Sequence, residues 1–274
     1  MTAETGREIE NTLAAVRRAP QSLLMLDYDG TLAPFRNRRP EAFPYPGITR
    51  LLEEIVRCGR TRLAIISGRD VRDVASFLGP ELPVEIWGLH GLQRVTADCK
   101  LEQLPVDEAA SQALNKAKDW LCSHDLKEVA EFKTGSIAVH WRGLRTEESE
   151  WLRGRVLLGW RPIVRNTSLQ LLNFDGGLEI RTPIANKGDA VRKMLSEMPP
   201  ASPAAYLGDD NTDEQAFQAI NESGLSILVR PCWRDTLARA WITPPDELKT
   251  FLTQWLEATK QKTSDANQRL GATV

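Results

Sequence analysis

The sequence lacks the features that mark a membrane or secreted protein. No apolar run approaches the roughly 20 residues of a membrane-spanning helix, and residues 1–6 are polar, without the apolar core of a signal peptide. The net charge is only −2, which gives no reason to expect a nucleic acid or an anionic membrane as a partner. We therefore expect a cytoplasmic protein that binds neither nucleic acid nor membranes.

Cysteine is also scarce, and the few that are present show no paired spacing. Cys58, Cys99, Cys122 and Cys232 fit neither a zinc site nor a disulfide framework, so we expect reduced thiols. There is no internal repeat and no low-complexity tract. The 274 residues, of which 42% are hydrophobic and 26% charged, can bury a sizeable core as one large domain or two moderate ones. We expect a monomer.

The chain carries one short apolar stretch that runs directly into two acids. Residues 23–26 are apolar and are typical of a strand buried on both faces. Asp27 and Asp29 follow, and strand alternation would point both the same way. Gly30 lets the chain leave the strand, and Thr31 adds a hydroxyl group. Two carboxylates at the end of a buried strand favour a cation between them, such as magnesium.

Two other interpretations of this stretch exist. Asp-Gly is common turn chemistry, and Asp-x-Asp-Gly also resembles the start of a calcium loop. The calcium ligand run does not continue, and the twelfth position counted from Asp27 is Arg38 instead of Glu. Taken alone, the stretch favours an acidic turn and a functional site about equally.

Three further signals follow in the chain. Ser67 comes directly after a predicted strand, although a Ser-Gly turn there is usually structural. Lys187 opens a predicted helix, where a lysine is unfavourable against the helix dipole and therefore favours a nearby anion. Asp209 and Asp210 follow another buried strand, and Asp213 comes shortly after them. An acidic helix cap is the alternative for this last cluster, but so many neighbouring acids repel one another unless a cation is present.

The rhythm of the predicted elements changes twice. Strands and helices alternate in residues 1–97 and again in 181–274, which predicts a parallel sheet with helices on both faces. Residues 98–180 instead favour an antiparallel sheet with two helices, so we predict an α+β module inserted into an α/β domain. The predicted helices are 7–19, 48–56, 71–78, 106–123, 147–160, 187–198, 212–220 and 245–259; the predicted strands are 23–26, 62–66, 84–87, 136–142, 169–173, 178–181, 204–208, 225–229 and 239–243. We predict a loop at 36–46 and a frayed end at 260–274.

The signals occur in the order of a known superfamily. Asp-Tyr-Asp-Gly-Thr resembles the nucleophile motif of the haloacid dehalogenase (HAD) superfamily, and the Ser, the Lys and the acidic cluster follow as its other motifs do. The finer pattern is similar to that of trehalose-6-phosphate phosphatases: Ile-Ile-Ser-Gly-Arg, Gly-x-His-Gly, His-Trp-Arg, Glu-x-Arg and Gly-Asp-Asp-x-Thr-Asp-Glu. One departure is Leu92-Gln93, where the family often has an acid. The resemblance implies a Rossmann-like core with an inserted C2-type cap.

The resemblance also implies roles for the core residues. Asp27 would attack phosphorus, and Asp29 would act as general acid and then as general base. Ser67 and Lys187 would stabilise the phosphoryl charge. Mg²⁺ would be held by Asp27, by the backbone carbonyl of Asp29 and by Asp209. Asp210 and Asp213 would support the metal ligands.

The implied substrate is a small sugar phosphate, held partly by the cap. The candidates for substrate binding are Gly30, Thr31, Arg69, Lys133, His140, Arg142 and Glu179. Alternating polar residues on a half-exposed strand need no ligand, so this assignment has a strong structural alternative; Glu179 is the best supported, because the family has a sugar-binding Glu in this context. His90 is a hinge, a substrate residue or a structural histidine, and we place His124 on the cap surface.

Three functions remain open from the sequence. The first is a trehalose-6-phosphate phosphatase. The second is a phosphatase of another sugar phosphate, such as sucrose-phosphate or glycosyl-3-phosphoglycerate. The third is a non-catalytic regulatory relative, against which the intact Asp27, Asp29, Lys187 and Asp209 argue.

Overall fold

The computed structural model describes residues 3–36, 41–79 and 82–270. Within them the chain forms a sheet of eight strands and a second sheet of four. The larger sheet contains β1 Ser22–Leu26, β2 Thr61–Ile66, β3 Glu85–Gly88, β4 Gln93–Val95, β5 Leu101–Gln103, β10 Ala204–Gly208, β11 Leu225–Val229 and β12 Ala240–Ile242. The smaller contains β6 Ala130–Lys133, β7 Ser136–His140, β8 Gln170–Phe174 and β9 Gly177–Arg181.

The larger sheet is mostly parallel, with β1 near its middle. Its order is β12-β11-β10-β1-β2-β3-β4-β5, and every pair from β12 to β3 is parallel. The side chains of β1 alternate between two cores: Leu24 and Leu26 pack on one face, and Leu23 and Met25 pack on the other. This two-sided burial explains why residues 23–26 of β1 are all apolar.

Helices cover both faces of the larger sheet, as the alternating rhythm predicts. These helices are α1 Ala3–Arg18, α2 Ile48–Arg57, α3 Val71–Leu78, α6 Lys187–Ser196, α7 Glu214–Ile220 and α8 Asp246–Leu270. Apolar residues of α1, α2, α3 and α8 contribute to one core, and those of α6 and α7 to the other. Asp70 caps α3, because its side chain accepts a hydrogen bond from the backbone N–H of Arg72.

The smaller sheet is antiparallel throughout, in the order β6-β7-β9-β8. The helices α4 Glu108–Ser123 and α5 Thr146–Arg165 pack against it. Leu152, Val156 and Trp160, each one helical turn from the next, are the buried residues of α5. The predicted strands 169–173 and 178–181 correspond to β8 and β9, which form a hairpin with Gly176 at its tip in the left-handed conformation that favours glycine (φ +85°).

Three short strands were missed in the sequence, and one terminal prediction was wrong. Strands β4 and β5 add an antiparallel edge to the larger sheet, so β5 pairs with that sheet although it lies within residues 98–180. Strand β6 was also missed. The predicted fraying from residue 260 is contradicted as far as Leu270, because α8 continues to that residue; residues 271–274 lie outside the described part, as do residues 37–40 of the predicted loop. Among the described residues, no helix is long and apolar enough to cross a membrane.

Candidate active site

The carboxyl ends of the central strands open into a cavity between the two sheets. The cavity has a volume of about 490 Å³, and both sheets contribute to its lining. Strand β1 delivers Asp27, β2 delivers Ser67 and β10 delivers Asp209 to this edge. Helix α6 begins here with Lys187, and a reciprocal pair of hydrogen bonds between Asn186 and Asp189 fixes its start. The topology thus brings together core residues that are far apart in the sequence.

Asp27 and Lys187 form a buried ion pair at the base of the cavity. The Lys187 Nζ lies 2.6 Å from Asp27 Oδ1 and 2.7 Å from Asp213 Oδ1. Burial raises the pKa of Asp27 to about 7, although the Lys187 ammonium acts in the opposite direction. Burial by itself lowers the pKa of Lys187, but Asp213 and Asp27 more than offset this and raise it above its ordinary value. Lys187 is therefore a fixed positive charge.

Asp213 is held by several donors besides the lysine. Its side chain is fully buried and accepts hydrogen bonds from the Tyr206 hydroxyl and from the backbone N–H groups of Asp209 and Asp210. These bonds fix the loop after β10. The small Gly208 is required there, because a Cβ on it would lie 2.4 Å from Asp213 Cγ.

Asp27, Asp209 and Asp213 together have the donor set of a site for a hard cation. One carboxylate oxygen of each lies within 4.8 Å of the others. Among the described residues, the buried Asp209 Oδ2 accepts no hydrogen bond; the Arg230 Nη1 lies 3.9 Å away. Burial, and next the charge of Asp27, raise the pKa of Asp209 well above its usual value. When all three carboxyl groups are ionised, they leave an excess of about two negative charges beside the one ammonium, which a bound Mg²⁺ would balance.

Asp29 is held by Arg69 in a two-pronged ion pair. The Arg69 Nε and Nη2 each lie 2.6 Å from a different oxygen of Asp29. The guanidinium also lies over the rings of Tyr28 and Phe77, with 5.6 Å and 5.1 Å from its Cζ to the ring centroids. Arg69 was predicted to bind substrate; it does line the cavity, but Asp29 engages two of its nitrogens.

Ser67 and His90 meet at the side of the cavity. Ser67 accepts a hydrogen bond at its carbonyl from the His90 backbone N–H and another at Oγ from the Arg69 N–H. The His90 ring lies against Gly68, where an added Cβ would come within 2.6 Å of the imidazole. Burial lowers the pKa of His90 to about 4, so the imidazole is neutral at pH 7.

Glu179 is the centre of the polar group that the smaller sheet contributes. Its carboxylate accepts a hydrogen bond of 2.8 Å from the Ser136 hydroxyl and lies 3.5 Å from the Lys133 Nζ and 3.3 Å from the His90 Nε2. Burial by itself raises the pKa of Glu179, but the charges of Lys133 and its other neighbours more than offset this and hold the pKa well below its usual range. Because His90 is neutral at pH 7, the lysine supplies the compensating charge there. The Lys133 Nζ also donates to the Gly68 carbonyl.

His140 and Arg142 reach the cavity from the end of β7. The His140 Nε2 lies 3.1 Å from Glu131 Oε2. Arg142 lies over the ring of Phe35, with 3.7 Å between its Cζ and the ring centroid, and it donates to the Asp175 carbonyl at the hairpin tip. Arg142 therefore connects the smaller sheet to the loop that follows Asp29.

Not every predicted site residue is arranged as its assigned role requires. Asp210 accepts hydrogen bonds from the N–H groups of Asn211 and Asp175, and it is not part of the carboxylate cluster. Gly30 and Thr31 do not line the cavity; Gly30 has a φ of +83° and faces Asp209, where a Cβ would lie 2.3 Å from its Oδ2. The Thr31 hydroxyl is buried and makes no hydrogen bond among the described residues. Gly30 therefore acts on the shape of the loop and its approach to Asp209.

Three polar residues of this region were missed in the sequence analysis. Glu131 lines the cavity beside His140. Asp175 accepts at Oδ2 from Arg230, with an N–O distance of 3.2 Å. Asp175 could have been noticed because it precedes two glycines, a pattern that predicts a turn. No sequence pattern distinguishes Glu131 and Arg230 from ordinary surface charges.

The departure at Leu92-Gln93 lies outside the cavity. Leu92 is buried in a small apolar cluster with Leu89 and Ala185. The Gln93 amide bonds Asp70 and Gln103 and accepts from the Val71 N–H. Gln93 thus joins the start of α3 to the edge strands.

Comparisons with known proteins agree with this architecture. The solved C-terminal domain of the C. albicans trehalose-6-phosphate phosphatase matches with a TM-score of 0.79 at 20% identity, covering 91% of this chain and 96% of that domain. A solved haloacid dehalogenase-like hydrolase from B. subtilis matches with a TM-score of 0.62 at 14% identity, covering 85% of this chain and 99% of that one, so the chain has the fold of such hydrolases. The sequence profile of the trehalose-phosphatase family matches residues 25–239. The chain belongs to the trehalose-phosphatase family.

Two relatives show the extent of the likeness. The trehalose-phosphate phosphatase of Mycobacterium marinum is 30% identical over 239 residues, which are 81% of this chain and 59% of that protein. Probable trehalose-phosphate phosphatase H of Arabidopsis thaliana is 30% identical over 264 residues, which are 86% of this chain and 72% of that protein. The chain thus spans less than two thirds of the mycobacterial relative.

Proposed function

We propose that this protein hydrolyses trehalose 6-phosphate to trehalose and inorganic phosphate. The observation that carries the proposal is the Asp27–Lys187 pair beside Asp209, at the base of a cavity that also contains Glu179 of the smaller sheet. A phosphate at the base would meet the core residues, while its sugar would extend toward the smaller sheet. The named activities of the relatives support the same substrate.

Asp27 is the proposed nucleophile. A carboxylate oxygen of Asp27 forms a bond to phosphorus while the bond from phosphorus to the sugar oxygen breaks, which leaves an aspartyl-phosphate. Water then attacks phosphorus, the bond to the Asp27 oxygen breaks, and phosphate leaves. The Lys187 ammonium, 2.6 Å from Asp27, remains charged and stabilises negative charge through both steps.

Asp29 is the proposed general acid and base. It gives a proton to the departing sugar oxygen and then takes one from the attacking water. Both of its oxygens accept hydrogen bonds from Arg69, so the proton that Asp29 carries must lie on a lone pair that faces away from the guanidinium. Arg69 therefore orients Asp29.

Ser67 and a divalent cation complete the proposed phosphate site. The Ser67 hydroxyl lies on the cavity lining next to Arg69 and would donate a hydrogen bond to a phosphoryl oxygen. The side chains of Asp27 and Asp209, with the Asp29 carbonyl, would hold Mg²⁺, and Asp213 would support them by orienting Lys187 and the loop N–H groups. When bound, the ion supplies positive charge next to the phosphoryl group.

Specificity for the sugar is proposed to come from the smaller sheet. Lys133, His140 and Glu179 offer hydrogen-bonding groups along the cavity, whereas the core residues contact only phosphate and metal. The division into a core of 1–97 and 181–274 and a cap of 98–180 is part of this proposal. The Lys133 ammonium lies 3.5 Å from Glu179 and 3.4 Å from Glu131, so a sugar hydroxyl can bond to Glu179 without leaving that carboxylate as an unpaired buried charge.

A phosphate-release assay tests the proposal. Trehalose 6-phosphate, sucrose 6-phosphate, a glycosyl-3-phosphoglycerate and glucose 6-phosphate are supplied with and without Mg²⁺, and Asp27→Asn serves as the inactive control. We expect the highest kcat/KM for trehalose 6-phosphate. A higher value for another sugar phosphate would overturn the substrate but keep the chemistry, and no release from any of them would overturn the enzyme.

A further inference from the structure

Helix α5 carries an exposed stripe of side chains on the side that faces away from its own sheet. The stripe residues are four and three residues apart in turn, so they share one face of the helix. All of them are exposed: Glu147, Trp151, Gly154, Leu158, Arg161 and Arg165. The buried residues Leu152, Val156 and Trp160 occupy the opposite face.

Two members of this stripe are large apolar side chains in solvent. Trp151 is 61% exposed and Leu158 is 75% exposed. Gly154 lies between them, and a Cβ there would meet nothing within 4 Å. Gly154, Leu158 and Arg161 also line a shallow groove on the helix surface. The stripe therefore has a projecting leucine and, one turn earlier, a notch that a side chain can enter.

When two copies of the stripe are placed side by side in opposite directions, each residue of one copy faces a complementary residue of the other. In an antiparallel pair of these helices, Glu147 of one copy would oppose Arg165 of the other, and Trp151 would oppose Arg161. Leu158 would then lie over Gly154. Each of these contacts occurs twice because the pair has two-fold symmetry. The contacts pair an acidic with a basic side chain, an aromatic ring with a guanidinium group, and a large side chain with a glycine.

We propose that the Glu147–Arg165 stripe is an isologous interface through which two copies of this chain form an antiparallel α5 pair. The helix dipole accounts for an acid in the first turn and a base in the last, but not for Trp151 and Leu158 in solvent between them. A second copy is the occupant that satisfies all of these positions at once. The proposal is independent of the proposed function and competes with the monomer expected from the sequence.

The pair is expected to be weak, since one helix from each chain buries less than the roughly 1,200–2,000 Å² of stable complexes. Sedimentation velocity over a concentration series up to about 1 mM should therefore show reversible dimerisation. Either Glu147→Lys or Arg165→Glu alone places like charges opposite each other twice, and should weaken the dimer about tenfold. The double variant restores opposite charges and should dimerise as the wild type does.

Arg153→Glu is the matched control, because Arg153 is exposed on the same helix but lies outside the stripe. It should leave the dimer unchanged, and phosphatase turnover should be unchanged in every variant because the stripe lies outside the cavity lining. A chain that stays monomeric at every concentration would overturn the proposal and leave the stripe to another partner. Single reversals without effect, or a double variant that fails to recover, would overturn it as well.

Cysteine pairing tests the register. In a background with Cys99, Cys122 and Cys232 changed to Ser, one chain carries Gly154→Cys and another carries Leu158→Cys. Oxidation of the mixture should form the disulfide-linked heterodimer in preference to either homodimer, because position 154 opposes position 158. Equal linking in each chain alone would contradict the antiparallel register.

Discussion

The imidazole of His90 and the carboxylate of Glu179 connect the two sheets of the molecule. The His90 Nε2 lies 3.3 Å from Glu179 Oε2. The backbone N–H of His90 donates a hydrogen bond to the Ser67 carbonyl at the end of β2. One residue thus contacts both the proposed phosphate site and the carboxylate proposed to bind sugar. The first two predictions follow from this contact.

Glu179→Ala should separate sugar recognition from phosphate chemistry. Loss of its hydrogen-bonding group should lower kcat/KM for trehalose 6-phosphate at least about tenfold, in line with the ~1–3 kcal/mol of an unpaired buried group. The kcat/KM for a small ester such as p-nitrophenyl phosphate, which does not reach the smaller sheet, should fall only slightly. Ser136→Ala, which removes one donor but keeps the carboxylate, is the control and should have a smaller effect. Equal losses on both substrates would make Glu179 structural.

His90 should make the fold less stable as the pH falls from about 6.5 to about 4. Burial lowers its pKa from 6.5 to about 4, so the unfolded chain gains the proton first, and folding loses up to ~3 kcal/mol across that window. His90→Asn should remove this part of the pH dependence, and Asn tolerates the positive φ of 57° found at this position. Denaturant unfolding at several pH values measures how the free energy of unfolding depends on pH, with His124→Asn as the control. The same slope in wild type and His90→Asn would contradict the lowered pKa.

Asp27→Asn should abolish phosphate release without unfolding the protein. An amide can neither attack phosphorus nor hold the metal ion as a carboxylate does, so kcat should fall by more than about a thousandfold. Circular dichroism and the thermal midpoint should stay close to those of wild type, because Lys187 keeps Asp213 as a partner. Asp119→Asn, on the exposed face of α4, is the control. A folded variant with near-normal turnover would refute the covalent mechanism.

Asp209→Asn should stabilise the metal-free protein and weaken the binding of Mg²⁺. The substitution removes a carboxyl group whose ionised form is disfavoured by burial and next by the charge of Asp27, so without metal the thermal midpoint should rise, by about 2–4 °C for each 1 kcal/mol gained. Unfolding in the presence of chelator, followed by Mg²⁺ titration of the midpoint, measures both effects. Asp210→Asn is the matched control variant. The Asp210 oxygens accept two backbone hydrogen bonds, so this substitution should not raise the thermal midpoint.

If wild type kept full activity after exhaustive chelation, the metal requirement would be wrong.

Local patterns in the sequence were sufficient for most of the core. Residues 23–26 of β1 are apolar because the strand is buried on both faces, and the alternation of strands and helices follows from covering such a sheet. Asp27, Ser67, Lys187 and Asp209 could be found because each stands at the end of a strand or the start of a helix, where parallel topology brings chain segments together. Strands β4, β5 and β6 were missed because they contain polar and charged residues and are largely exposed or only partly buried, so no apolar run marks them. The equally short β3 and β12 were predicted, because more of their residues are apolar and buried.

Only the tertiary structure decided which charges face one another. The sequence could not show that Arg69 engages Asp29, that Asp210 holds the backbone of Asp175, or that His90 reaches Glu179. Periodicity reports which face of an element is buried, but a contact between residues distant in the chain depends on how the two sheets pack. The sequence therefore determined the family and the chemical groups, while the packing of one sheet over the other determined the pairing and pKa values of those groups.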